Sequence, residues 1–569
     1  MKPNRLCLAL VLGLATGNVL AADDFYGTLE PFARESIYFV VTDRFVNGDP
    51  SNDHRDQGGK DPALHTFDRP VPNAHGDNIG YLGGDFKGIV DNAGYIRGMG
   101  FTSVWVTPIV DNPDQAFTGG SPIGSDAFFK DQGKTGYHGY WGINFYKLDE
   151  HLPSKGLDFA GFTRAMKQQQ LDVVLDIVAN HGSPAYTMPK MQPQFGKVWD
   201  KDGKLVADHQ NLDPSKLDPK HNPMHAFYNT GGGLAQLSDF NENNPAVLDY
   251  LAGAYEQWID QGASAFRVDT IGWMPHAFWK KFADRIRAKK PGFFMFGEAF
   301  NYDAATIAMH TLPRNGSYSV LDFPLRGKLQ QLFEKPGSDY ATVGDALYLE
   351  DGPYQNPYDL VTFYDNHDMA RINASDNGFI DANNWLFTAR GIPVIYYGSE
   401  TGFMRGRAEH DGNRNYYGQA RVDAASSSPI YGNLKRIASL RRDSVALQRG
   451  LQLNLKLQGD QAAFYRVYAH QGQAQTALVL LNKGDAAQTI ALDTLVEPGN
   501  WRDAFSGEMV ELGNTLALPV PAHGVRVLFL DRPLASQALL EKLRYAMAHK
   551  DRCGEDAAST ATAAGQASD

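Results

Sequence analysis

Ala263-Ser-Ala-Phe-Arg-Val-Asp269 is a short strand-like run that stops on a carboxylate. Two more stretches have the same shape. Phe-Met-Phe-Gly leads to Glu298, and Val-Thr-Phe-Tyr-Asp-Asn-His leads to Asp368. Each acid leaves a packed element where a pocket would begin. A carboxylate there carries a desolvation cost and needs a reason. Three such ends converging on one point suggest acid/base and nucleophilic chemistry at an acetal carbon.

Working outward, strand-like runs recur with helical patterns between them: Ser36–Phe45, Thr102–Pro108, Leu171–Val178, Ala263–Asp269, Phe293–Ala299, Tyr318–Phe323, Leu360–Tyr364 and Pro393–Tyr397. Several are near-continuous Val/Ile/Phe stretches, as parallel strands covered on both faces require. Helical periodicity marks Leu157–Gln170, Pro245–Gln261, Pro275–Lys289 and Trp385–Arg390. The alternation predicts an α/β fold, a (β/α)₈ (TIM) barrel. An open doubly wound sheet is the competing reading, and no G-x-G-x-x-G follows the first strand to support it. Residues 182–244 are rich in Pro, Gly, Asn, Asp and Lys, and are read as an inserted excursion after the third strand, at the rim of the site.

After residue 430 the strands become short, alternating and turn-bounded: Leu451–Leu457, Ala462–Val467, Ala477–Leu481, Thr489–Leu492, Thr515–Leu518 and Val525–Leu530. That pattern predicts a C-terminal antiparallel β-sandwich. Ser536–His549 reads as helix, and Gly554–Asp569 as a disordered tail. The predicted divisions are a signal over 1–22, barrel over 23–181 and 245–428, insertion over 182–244, β domain over 429–531, and helix plus tail over 532–569.

With 569 residues the chain exceeds one ordinary core. Hydrophobic content of 43% and charged content of 21% fit a globular protein. The net charge of −12 makes nucleic acid and anionic membrane poor partners. A neutral polymer is compatible, and a monomer is expected. Lys2 and Arg5, the apolar run Leu6–Leu14 and the small residues before position 23 read as a secretory signal, too short to span a bilayer, which takes roughly 20 apolar residues. The expected destination is the periplasm or the exterior. Cys7 leaves with that signal, and Cys553 alone cannot form an intramolecular disulfide.

In a (β/α)₈ barrel the working face is the C-terminal end of the strands. Asp269, Glu298 and Asp368 close strands four, five and seven, and Asp176-Ile-Val-Ala-Asn-His181 brings polar groups to the same rim. Retaining hydrolysis of an acetal needs two acids about 5–5.5 Å apart, and neighbouring strand ends can supply them.

Four segments resemble the alpha-amylase family, glycoside hydrolase family 13: Asp172-Val-Val-Leu-Asp-Ile-Val-Ala-Asn-His181, Ala265-Phe-Arg-Val-Asp269, Phe296-Gly-Glu-Ala299 and Phe363-Tyr-Asp-Asn-His-Asp368. Leu237-Ser-Asp-Phe-Asn241, Tyr137-His-Gly-Tyr-Trp141 and Gly391-Ile-Pro-Val-Ile-Tyr-Tyr-Gly398 add to the likeness, which spans roughly residues 35–530 in family order. The resemblance implies Asp269 as nucleophile, Glu298 as general acid and base, and Asp368 as the acid that favours the distorted sugar. It implies Arg267 as the group holding Asp269 ionised, His181 and His367 on sugar hydroxyls, and Tyr140 stacked beneath the ring. For Trp141 the residues leave packing and sugar contact both open.

The same resemblance implies Ca²⁺. Asn47-Gly-Asp-Pro-Ser-Asn-Asp53 crowds hard oxygen ligands into one loop, and Tyr81-Leu-Gly-Gly-Asp85 resembles the second half of a calcium loop in cyclodextrin glucanotransferases. The ligands carried over are Asn47, Asp49, Asn52, Asp53, the Gly83 carbonyl and Asp85. A second site would use Asn180, Asp239 and the Trp273 carbonyl. An Asx-rich turn without metal is the plainer alternative for the first loop.

The chain also departs from the family. Gly272-Trp273 stands where many members have Lys-His, Asp411-Gly-Asn-Arg414 is shorter than the usual motif around Arg414, and Ala235 replaces the aromatic residue on which glucanotransferases coil their chain. The resulting expectation is an exported α-1,4-glucan endohydrolase acting on starch or maltodextrins. A transglycosylase or cyclomaltodextrin-degrading enzyme is the near alternative. A non-catalytic glucan binder is the remote one, disfavoured because all three acids are present.

Overall fold

The structure is a computed structural model and describes residues 23–55, 57, 79–122, 125 and 130–551. The predicted signal 1–22 and tail 554–569, with Cys7 and Cys553, lie outside the described residues.

Eight parallel strands build the barrel: β1 Ile37–Val40, β2 Ser103–Val106, β3 Asp172–Ile177, β4 Ala265–Val268, β5 Phe294–Gly297, β6 Ser319–Val320, β7 Val361–Thr362 and β8 Ile392–Tyr396. They run in the order β6-β5-β4-β3-β2-β1-β8-β7, and a parallel bridge from Leu321 to Val361 joins the two ends. All eight predicted strands are present. Seven are shorter than predicted, β8 keeps its predicted length shifted by one residue, and after β6 a polar cap starts the next element early. Asp322 accepts from the Leu325 amide and opens the helix Phe323–Glu334 directly after β6. Asp85, Asp158, Asn244 and Ser375 cap other helices in the same way.

The helix before β8 is Asp376–Leu386, ahead of the predicted Trp385–Arg390. Residues 387–391 instead turn the chain into β8, helped by Gly391 at φ +104°, a conformation that a side chain would strain. Helix Pro429–Arg442 packs on Asp376–Leu386 in the outer ring.

The insertion has strands of its own. His181–Pro184 pairs antiparallel with Leu237–Asp239, and Lys197–Trp199 with Leu205–Asp208. A further ribbon between β2 and β3, Val110–Asp111 with Asn144–Leu148, escaped the sequence reading. The two excursions share an apolar cluster of Phe117, Trp141, Met188, Phe195 and Leu237.

The C-terminal unit is a six-stranded antiparallel sheet faced by a two-stranded one. Its strands are β9 Leu451–Gln458, β10 Gln461–His470, β11 Gln473–Asn482, β12 Gln488–Leu492, β13 Gly499–Asp503, β14 Met509–Leu512, β15 Leu516–Val520 and β16 Gly524–Leu530. Sheet β9-β10-β11-β16-β13-β14 packs on β12-β15 around Tyr465, Leu480, Ile490, Trp501 and Leu528. The sequence reading missed β13 and β14. Helix Gln537–His549 lays Leu539, Leu543 and Ala546, one face at helical spacing, into this core. At the seam with the barrel, buried Arg466 donates to the carbonyls of Thr388 (2.8 Å) and Ala389 (2.5 Å).

Candidate active site

The floor of the site is set by register. Arg267 of β4 lies beside Asp176 of β3 and Phe296 of β5, so Arg267 and Asp176 point into the barrel side by side. Both are buried, and a buried guanidinium needs partners. It has four. Arg267 Nη1 donates to Asp176 Oδ1 (2.8 Å) and Asp269 Oδ1 (2.9 Å). Its Nη2 is 2.9 Å from Glu298 Oε2 and 4.0 Å from Asp368 Oδ2. The three acids predicted from the strand ends thus meet around one cation. Backbone bonds fix their approach: the Asp269 amide donates to Ile177 O (2.9 Å) and the Glu298 amide to Val268 O (2.8 Å).

Crowding decides their protonation. Burial pushes the Glu298 carboxyl well above the usual carboxylate range, Arg267 pulls it back, and Asp368 and Asp269 push it up again. These pushes favour the protonated form of Glu298. Burial likewise raises Asp176, to about 7, against the pull of Arg267. Burial drives the imidazoles of His181 and His367 down, keeping both neutral.

Tyr140 stands over this floor. Its O–H donates to Asp176 Oδ2 (2.8 Å), and its oxygen lies 2.8 Å from His367 Nε2. With the tyrosyl hydrogen committed to Asp176, the histidine Nε2 carries the other hydrogen. That nitrogen is also 3.3 Å from Asp368 Oδ1. Arg414 reaches in from the loop after β8. It donates to Asp368 Oδ1 (2.7 Å) and His367 O (2.9 Å), and pairs with Glu409 (3.0 Å). His181 lies at the mouth of the insertion, where Asp269 opposes the effect of its burial.

The structure thus brings together Asp269, Glu298, Asp368, Arg267, Tyr140, His367 and Arg414. Trp141 does not join them. Its ring is buried edge-on to Phe117, His138 and Phe195, so it packs the excursions together. Two members of the constellation lacked an assigned role in the sequence reading. Asp176 was legible as an acid inside an apolar strand. Glu409 had no such signal, because only folding brings it to Arg414.

The two candidate cation loops present unpartnered oxygens. Buried Asn47 Oδ1, Asn52 Oδ1 and Asn180 Oδ1 have no protein partner, as oxygens awaiting a hard cation would. Asn47, Asp53 and Gly83 converge: a Cβ on Gly83 would sit 2.3 Å from Asn47 Nδ2 and 2.7 Å from Asp53 Oδ1. Asp85 fits poorly as a ligand. Its carboxylate accepts from the amides of Gly48, Asp49 and Gly88 and from Asn52 Nδ2, knotting the loop onto the helix Phe86–Asp91. Asp49 turns outward to Ser51. For the second set, Asn180 immediately precedes the strand His181–Pro184, which pairs with the strand that ends on Asp239, and the Phe240 amide donates to Asn180 O (2.9 Å). Of Trp273, whose carbonyl is the third expected ligand, the amide donates to Thr270 O and the ring is exposed. Among the described residues, no group of three or more His, Cys, Asp or Glu forms a metal site.

A family model described as alpha amylase, catalytic domain, matches residues 39–433. A cyclomaltodextrin glucanotransferase of Niallia circulans is 30% identical over 528 residues, covering 90% of this chain and 68% of its own length. An alpha-amylase of the same organism is 30% identical over 533 residues, covering 90% of this chain and 94% of its own. Among solved structures, a cyclomaltodextrin glucanotransferase with a three-domain ABC distribution superposes with a TM-score of 0.71 and 29% identity, over 88% of this chain and 99% of that one.

Proposed function

The chain belongs to the alpha-amylase family, glycoside hydrolase family 13, near its cyclodextrin glucanotransferase branch, and from that premise we propose that it is an exported retaining α-1,4-glucan endohydrolase acting on starch or maltodextrins. The observation that carries this reading is the single Arg267 guanidinium that gathers Asp269, Glu298 and Asp368, in surroundings whose burial and neighbouring acids favour the protonated form of Glu298.

In the proposed mechanism the Asp269 carboxylate, paired with Arg267, attacks the anomeric carbon. Glu298 gives its proton to the departing glycosidic oxygen, and the bond breaks to leave a β-glycosyl ester on Asp269. Glu298, now ionised, takes a proton from water, whose oxygen attacks the same carbon and frees Asp269. Two inversions give net retention. Asp368, with Arg414 and His367 behind it, binds ring hydroxyls and favours the flattened, positively charged sugar. Tyr140 offers its ring face below. Asn47, Asp53 and the Gly83 carbonyl would hold Ca²⁺, which would brace the loop between β1 and its helix. Asn180 and Asp239 would hold a second ion at the base of the insertion.

The product pattern tests the reading. Maltoheptaose should give short linear products whose new reducing ends are α-anomers. Ala235 favours this outcome, because it offers no ring on which a chain could coil. The similarity to glucanotransferases supports a second reading, transfer to a sugar acceptor, which would appear as products longer than the substrate or cyclic. Export is part of the proposal, and a mature amino terminus at Asp23 in the periplasmic or culture fraction would support it.

A further inference from the structure

Among the described residues only two lysines are buried. One is Lys550, at the end of the C-terminal helix, and the other is Lys134, in the excursion between β2 and β3. A buried ammonium gives up its hydration and needs carboxylate partners. Lys134 has two. Its Nζ is 3.4 Å from Asp131 Oδ1 on its own turn and 3.6 Å from Glu409 Oε1 on the loop after β8. Backbone bonds hold that turn: the Lys134 amide donates to Asp131 O (3.0 Å), and the Phe117 amide donates to Lys134 O (2.8 Å). Asp131 also accepts from Gln236 Nε2 of the insertion (2.7 Å).

The pairing runs on to the catalytic acids. Glu409 Oε1, the oxygen that faces Lys134, is 3.0 Å from Arg414 Nη2, and the same nitrogen donates to Asp368 Oδ1 (2.7 Å). Charge therefore alternates along Asp131, Lys134, Glu409, Arg414 and Asp368. Arg414 Nη2 is the divided member, because two carboxylates compete for it. With Lys134 in place, part of the Glu409 charge is met from the other side, and Arg414 is left to Asp368. Without Lys134, Glu409 would draw Arg414 away. Burial lowers Lys134, but Asp131, Glu409 and Tyr137 raise it further against the opposing push of Arg414, so the ammonium stays charged.

We propose that Lys134 is a positioning residue: acting through Glu409, it holds Arg414 on Asp368, the acid that favours the flattened sugar. The inference rests on the glucanase reading above and adds what sets the third acid in place. Its consequence reaches Glu298, which is faced by Arg267 and Asp269 from β4 and by Asp368 from the segment after β7. An Asp368 less neutralised by Arg414 repels the ionised form of Glu298 more strongly, and one more fully neutralised repels it less. Removing Lys134 and removing Glu409 therefore have opposite effects on the general acid.

The test measures kcat, KM and the pH profile of kcat/KM on maltoheptaose for wild type, Lys134→Met, Lys134→Arg, Glu409→Gln and the double variant Lys134→Met/Glu409→Gln. Lys134→Met is expected to lower kcat about tenfold with KM within about twofold, and Lys134→Arg, which keeps the charge, to restore it. The alkaline limb should move up by about half a pH unit in Lys134→Met and down by a similar amount in Glu409→Gln, with the double variant between them. Loss of packing alone would not move the limb in opposite directions. Limbs that stay put, or that move the same way in both single variants, would overturn the inference while leaving the glucanase reading intact. A kcat unchanged in Lys134→Met would do the same. Where Lys134→Met does not fold, Glu409→Gln decides: a downward limb supports the inference, and a fixed or upward one overturns it. A wild-type enzyme inactive on maltoheptaose would instead overturn the glucanase reading and this inference with it.

Discussion

Arg267 is one cation among four carboxylates, at 2.8 Å from Asp176, 2.9 Å from Asp269 and Glu298, and 4.0 Å from Asp368. Four ionised acids around one guanidinium would repel strongly in a buried site, so at least one keeps its proton, and titration belongs to the group as a whole. The opposed pushes on Glu298 select it. Glu298→Gln should therefore lower kcat by about 10²–10⁴-fold, the usual worth of a general acid, while the dissociation constant for maltoheptaose stays within a few-fold. Steady-state kinetics and calorimetry on the variant check both halves. The pH dependence has a definite sign. The active form of Glu298 is protonated and its carboxyl titrates above the ordinary value, so activity is retained near neutrality and lost as pH rises through that raised value. A profile whose alkaline limb is the same in wild type and in the residual activity of Glu298→Gln would contradict the assignment.

Among the elements, the loop from Asn47 to Asp53 depends on Asp85. One carboxylate accepts four donors, three of them backbone amides, and also caps the helix Phe86–Asp91. Losing a helix cap alone costs about 0.5–2 kcal/mol, and here buried amides are stranded as well. Asp85→Ala should therefore lower the melting temperature clearly, by at least the several degrees expected from a cap. Calorimetric or circular-dichroism melts would show it. Chelation probes the same loop differently. If Asn47, Asp53 and Gly83 hold Ca²⁺, a chelator should lower the melting temperature of the wild-type protein, and Asn47→Ala should abolish that response. A melt indifferent to chelator would remove calcium from both loops.

In the whole molecule, the β domain is fastened to the barrel through His523. Its Nδ1 is 2.8 Å from Asp381 of the barrel helix Asp376–Leu386, and its Nε2 is 2.9 Å from Asp485 of its own domain. The two carboxylates raise the imidazole, and burial pushes Asp381 up to about 7. Both shifts have the same sign, since each group holds its proton more tightly folded than unfolded. The stability they supply is present at low pH. It is lost through Asp381 as pH climbs from the ordinary aspartate range toward about 7, and through His523 above the ordinary histidine value. His523→Gln should therefore lower the melting temperature more at pH 5.5 than at pH 8, and melts of wild type and variant at the two values check this. An equal loss at both would mean that the bridge is a neutral hydrogen bond.

Much of this protein was legible from pattern alone. Period, order and turn residues placed eight barrel strands and most of the C-terminal sheet, because a strand covered on both faces must be apolar throughout. Acids at strand ends named the catalytic candidates, because a buried carboxylate is too costly to be incidental. Only tertiary structure could decide what each candidate faces. The register that sets Arg267 against Asp176, the fold that carries Glu409 to Arg414, and the burial of Trp141 among rings of the insertion join residues far apart in the chain. The same holds for Asp85, whose calcium-like motif places its oxygens among amide donors, and for Trp273, whose exposed ring is defined by what surrounds it. Local composition fixes which residues can form a strand, a cap or an acid, whereas distances, protonation and exposure depend on neighbours that only folding supplies.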